Sequence, residues 1–262
     1  MRTTVLFLIL FVVFFGFPYI ILPLILFFGK GTKAQFNVDA IAPDKFLPDA
    51  RFWVSQQVKT LESLGFTVQH YLLNRDAMPN VRTYFVLLAN LETQDKAMVT
   101  AMYTVAQNGT TPGTRYVEFS TKFVDDTGVD TMNSSQALAF KQRDDMVTTR
   151  LPGLDDVPLL FRIHQYLMAK NFPGKAKKLP APGDEIPELQ RGVRRSYEKQ
   201  TAFGLMEYLS ATDSYKQTLW GAFFMVYRQL FPVAQYELMR DKNNASVLKK
   251  TAQDWQPGQP IA

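Results

Sequence analysis

The sequence predicts an α+β protein: an amino-terminal transmembrane helix, then a helix plus an antiparallel β-meander of four to five strands, then a helical carboxy-terminal half. Three observations carry this prediction. Residues 5–28 contain no charged side chain. From Phe66 to about Asn133, runs rich in β-branched and aromatic residues alternate with polar ones at a period of two. Beyond about Phe140 the apolar spacing changes to three and four, the period of a helix.

The 24-residue run VLFLILFVVFFGFPYIILPLILFF would make a helix of roughly 36 Å, longer than the ~30 Å hydrocarbon core. It exceeds the ~7–15 apolar residues of a cleaved signal peptide, and Thr32-Lys33-Ala34 is a poor cleavage site. The reading is therefore a single-pass signal-anchor through residues 5–28, with residues 1–35 as anchor and short flanks. Arg2 precedes the run, and Lys30 and Lys33 follow it. This charge balance places the body on the cytoplasmic face of a membrane, taken as a bacterial inner membrane.

Residues 36–140 are read as the helix and meander. Pro48 opens a helical pattern in which Ala50, Trp53, Val54, Val58 and Leu61 recur at three- and four-residue steps, and Gly65 stands where a helix ends. FTVQHYLL, VRTYFVLLANL, AMVTAMYTVA, RYVEFSTKFV and VDTMN then read as strands. The stretch Asn108-Gly-Thr-Thr-Pro-Gly-Thr and the stretch Asp125-Asp126-Thr-Gly128 read as turns.

Residues 141–262 are read as mostly helical, with a Pro/Gly/Lys linker near 172–187. Asp155 or Asp156 can cap a helix that carries Pro158 in its first turn. A long helix is expected from Glu188 to about Ser210. The uncharged run from Gln217 to Tyr227 is too short to span a bilayer, so Trp220, Phe223, Phe224 and Tyr227 are expected in a core, with a membrane-facing helix as the rival. A last helix reaches about Lys250.

Composition removes whole classes of chemistry. The 262 residues include no cysteine, which excludes disulfides, thiolate metal sites and cysteine nucleophiles. The two histidines, His70 and His164, lie in no metal-binding pattern and are expected to be structural. There is no Gly-x-Ser-x-Gly elbow and no phosphate-binding loop, so no cofactor is expected. Asp125, Asp126 and Asp130 lack the spacing of a calcium loop. The net charge of +5 is small for a nucleic-acid binder, and no nucleic-acid partner is expected.

One charged group stands out. Lys175, Lys177 and Lys178 fall in the linker, and Arg191, Arg194, Arg195 and Lys199 fall in the helix after it. Such a group is either a solvated surface or a contact for anionic lipid or an acidic protein partner. The first functional expectation is a non-catalytic adaptor or assembly element held at a membrane. The alternative is a membrane-tethered domain for a lipid or apolar ligand, with its cavity between meander and helices. The third is a hydrolase built on carboxylates.

Overall fold

The computed structural model describes residues 5, 12–75, 80–107 and 109–256. In chain order, a π-helical stretch Val12–Ile21 runs into α1 (Leu22–Phe28). Strands β1 (Thr32–Lys33) and β2 (Asp39–Ala40) precede α2 (Pro48–Ser63). Then come β3 (Thr67–Asn74), β4 (Val81–Asn90), β5 (Asp95–Ala106), β6 (Gly109–Phe123), β7 (Gly128–Met132) and β8 (Met146–Arg150). After these follow α3 (Val157–Asn171), β9 (Lys177–Lys178), α4 (Glu185–Ala202), β10 (Met206–Leu209), β11 (Ser214–Gln217), α5 (Leu219–Gln229) and α6 (Val233–Gln253). The described residues form two compact units that interleave in sequence.

The larger unit holds residues 37–136, 142–189 and 239–262. Its eight-stranded sheet runs β2-β3-β4-β5-β6-β7-β8, with β9 paired to β6. Every pairing from β2 to β7 is antiparallel, and β8 joins β7 in parallel. The core forms because alternate strand residues share a face. Ala97, Val99, Ala101, Val117 and Phe119 meet Ala50, Val54, Val58 and Leu61 of α2 and Leu160, Phe161 and Ile163 of α3. Asp156 caps α3 as expected, its carboxylate accepting from the Leu159 amide at 2.9 Å. The chain leaves α2 through Gly65 at φ +85°, a left-handed conformation that favours glycine.

The smaller unit holds residues 1–36, 137–141 and 190–238. Its three-stranded antiparallel sheet is ordered β1-β11-β10. A small core of Ala34, Met206 and Tyr215 is flanked by Phe140 and Tyr197. The π-helical stretch and α1 pack against α5.

Four expectations differ from what the described residues show. First, among the described residues no helix is long and apolar enough to cross a membrane. Residues 6–11 of the expected 5–28 span lie outside the described residues. The rest is broken into 10 π-helical and 7 α-helical residues, with Pro18 inside the first and Pro23 opening the second. Each proline removes an N–H from the ladder, which disfavours one regular helix. Second, the carboxy-terminal half is not uniformly helical. β8 extends the sheet, and the helix expected to reach Ser210 stops at Ala202, where Gly204 turns at φ +73° into the β10–β11 hairpin. Third, Gly109–Gly113 are strand rather than turn, because β6 pairs with β5 down to Ala106↔Gly109. Fourth, the aromatic run of α5 is not core: its buried residues are Gly221 and Ala222, while Trp220 is 69% exposed.

Candidate functional site: a charged cleft on the sheet

The core-facing residues of β5 and β6 leave their neighbours on the opposite face. There Lys96 stands across from Ser120, and Ser120 across from Asp130. In the next row Met98 faces Glu118, which faces Met132. Diagonal neighbours on one face lie about 7–8 Å apart, so Lys96, Glu118 and Asp130 form one group on three adjacent strands. Over this group run Pro180 and the start of α4. Together they enclose a cleft of about 130 Å³ lined by Leu87, Leu88, Ala97, Met98 and Leu189 on its apolar side, and by Lys96, Glu118, Glu185 and Glu188 on its polar side.

A hydrogen bond and an ion pair hold the α4 end in place. His70 Nε2 lies 3.3 Å from Glu185 Oε2. Lys122 donates to Glu188 Oε1 and lies 3.6 Å from Asp126. Although burial pushes Glu185 up, bonds to its own amide and to His70 leave its carboxyl below the usual range.

The electrostatics of the floor follow from desolvation with too few counter-charges. Burial pushes the Glu118 carboxyl up to about 8; the neighbouring Asp130 adds to this and Lys96 opposes it. Burial also raises Asp130, against the Ser120 hydroxyl, Lys96 and Arg143. Burial lowers the Lys96 ammonium, against the attraction of Asp130 and Glu188. The Tyr116 hydroxyl in the following row is raised by burial and by Glu118. Glu118 therefore holds its proton more tightly than an exposed glutamate does.

The basic group found in the sequence does not converge on this cleft. Lys175 lies 2.9 Å from Asp125 and donates to Thr127 Oγ1 at 2.7 Å, with its ammonium 4.6 Å over the Phe123 ring. Lys177 reaches Asp95 at 2.8 Å, and Lys178 reaches Asp126 at 2.6 Å. The three lysines tie the linker to the sheet. Arg191, Arg194, Arg195 and Lys199 belong to the smaller unit. Arg194 pairs with Glu198 at 3.1 Å one turn away, an exposed pair of small worth. Asp125, Asp126 and Gly128 form the turn between β6 and β7, where Asp125 Oδ1 accepts from Thr127.

His164 is fully buried. Its Nε2 lies 2.8 Å from Thr121 Oγ1 and its Nδ1 3.0 Å from Thr131 Oγ1. Burial lowers it to about 4, with Asp95 opposing and Lys177 assisting. It is a core histidine on the helix-covered face. Among the described residues no group of three or more His, Asp or Glu could hold a metal ion.

Sequence reasoning missed Lys96 and Glu118, and weighed Asp130 only as part of a calcium loop. The signal was present in strands that carry charge at alternate positions, as in Glu118-x-Ser120-x-Lys122. That pattern means one polar face; it does not say that a later segment will cover that face. Comparison with family models, curated proteins and solved structures gives no match.

Proposed function

We propose that the protein is a membrane-tethered binding domain that takes a small amphiphile bearing a protonated amine into the cleft of its sheet. One observation carries this reading: an apolar wall stands beside the buried carboxyl of Glu118, with Asp130 on the next strand and Lys96 as the cation in the cleft lining. The cleft is smaller than the ~300–1,000 Å³ typical for drug-sized ligands. It suits a headgroup and its first few carbons.

The tether is residues 5–28. Its support is the uncharged run itself, together with the outward-facing Phe17, Ile20, Ile25 and Phe28. Lys30 and Lys33 favour the cytoplasmic face.

The test uses the full chain in nanodiscs, titrated with an alkylamine, an alkanol and an alkanoate of equal chain length. The amine binds best, and its affinity rises from pH 6 to pH 9 as Glu118 ionises. Glu118→Gln removes that rise, and Lys96→Met strengthens amine binding. Preference for the alkanoate, or indifference to both substitutions, sinks the reading. A carboxylate-based hydrolase is the second reading, favoured by the raised Glu118 beside Asp130, since shifted acids cluster at catalytic sites. It requires turnover of a model ester or glycoside that both Glu118→Gln and Asp130→Asn abolish.

A further inference from the structure

Helix α5 has its small residues inside and its large ones outside. Thr218 caps it, accepting from the Gly221 amide at 3.0 Å. A Cβ on Gly221 would lie 1.7 Å from the Leu205 carbonyl oxygen, so the helix touches that backbone through its glycine. This contact fixes the rotation of the helix. Leu219, Trp220 and Tyr227 then face out, and Phe231, Val233 and Tyr236 continue the exposed apolar surface.

The helix runs antiparallel to the amino-terminal apolar segment. At one end Lys216 Nζ sits 5.3 Å over the Phe27 ring. At the other the Tyr19 ring lies 5.8 Å from Tyr227, and the Tyr19 hydroxyl donates to the Phe231 carbonyl at 2.5 Å. The charges are sorted along this pair. Lys30, Lys33 and Lys216 gather at the Phe27 end, where Lys33 pairs with Ser214 across β1 and β11. From Gln217 to Tyr227 there is no charge. Arg228 turns inward, to Glu237 at 2.7 Å and to the Phe140 carbonyl at 2.6 Å. The turn beyond α5 brings few unmet donors. Pro232 has no N–H, and the amides of Leu230, Ala234 and Tyr236 donate to Tyr227, Leu230 and Pro232.

We propose that α5 enters the bilayer as a re-entrant helix beside the anchor, its occupant face being the lipid acyl chains. It dips from anionic headgroups at Lys30, Lys33 and Lys216 to a turn at Phe231–Val233, and this rests on the reading of residues 5–28 as the anchor. The twelve steps from Leu219 to Phe231 rise about 18 Å at 1.5 Å each, roughly half of a ~30 Å core. Backbone at that depth must be bonded within the chain, and ionisable groups must be paired. Arg228 is paired with Glu237, and the amides of Leu230, Ala234 and Tyr236 around the turn are bonded within the chain.

A chain without cysteine makes the test direct. Single variants Ile20→Cys, Trp220→Cys and Phe231→Cys are labelled with an environment-sensitive fluorophore in the full chain, in vesicles containing anionic lipid. Quenching by lipids carrying a nitroxide near the headgroup or near the chain end reports depth. The Phe231 label is quenched more by the deep nitroxide, the Trp220 label more by the shallow one, and both emit to the blue of their detergent-free denatured spectra. Tyr236→Cys replaces Phe231→Cys if that variant loses its circular dichroism. If the Ile20 label is lipid-quenched while those at 220 and 231 respond only to aqueous quenchers, re-entry is overturned and the anchor stands. If Ile20 is aqueous as well, the anchor falls with it. Labels shielded from water but not lipid-quenched mean that protein covers the face, which also overturns the proposal.

Discussion

At the scale of single residues, two buried groups set opposite pH dependences. His164 has its ordinary affinity for protons, near 6.5, in the unfolded chain, and about 4 in the fold. Between those values the unfolded state takes up the proton first. Stability therefore falls as pH drops through this window, by up to about 3 kcal/mol at 1.36 kcal/mol per unit. Urea unfolding at pH 7 and pH 4.5 should show this loss, and His164→Asn should flatten it while lowering stability at pH 7. A slope unchanged by the substitution would assign the acid sensitivity elsewhere. Glu118 acts the other way. Its folded carboxyl holds a proton up to about 8, so the native state loses stability as pH rises from the ordinary glutamate range toward 8. Glu118→Gln should be more stable than the parent at pH 9 and near parity at pH 5, read by thermal unfolding. Such a site costs stability, which is the expected sign of a group kept for binding rather than for folding.

At the scale of elements, the linker and α5 show how far local pattern reaches. Asp95 is fully buried and accepts from Lys177 and Thr121, while its second oxygen has no hydrogen-bond partner among the described residues. Lys177→Met leaves that carboxylate without its cation and should lower stability by about 3 kcal/mol; Lys175→Gln, at a more exposed pair, should cost under about 1 kcal/mol. Equal effects from the two, measured by urea unfolding, would deny Lys177 a structural role. Gly221→Ala should destabilise the smaller unit by at least the ~1–3 kcal/mol of overpacking, since the added methyl meets backbone rather than a yielding side chain. Much of this was legible in the sequence. The period-two runs gave β3, β4, β5 and β7 to within about two residues but missed the first six residues of β6, and Pro48, Gly65 and Asp156 marked helix ends because local chemistry decides them. Strands β8, β10 and β11 were not legible. Each has four or five residues, so too few side chains alternate to declare a period. The orientation of α5 was hidden for a related reason. An aromatic stripe reads as core until the contact of Gly221 with Leu205, sixteen positions earlier, turns it outward.

At the scale of the whole molecule, the interleaving of the two units predicts what the amino-terminal segment does within the fold. Among the described residues, the core of the larger unit draws on none before Ile41. The smaller unit, by contrast, takes β1 as the edge partner of β11, Ala34 for its core, and the segment 12–28 as the packing partner of α5. A chain beginning at Phe36 loses all three. Its β11 then presents an open edge, and α5 exposes apolar surface on two sides, which favours local opening. In hydrogen exchange the truncated chain should therefore keep full protection in β4, β5 and β6 while residues 203–230 exchange fast. Limited proteolysis should cut it between Phe203 and Tyr236, a stretch resistant in the full chain held in nanodiscs. Truncation should also leave amine binding at the cleft within a few-fold of the parent, because every lining residue lies in the larger unit. Unchanged protection of residues 203–230 would mean that α5 is held by its own unit without the amino-terminal segment. Collapse of β4 to β6 would mean instead that the larger unit needs that segment to fold.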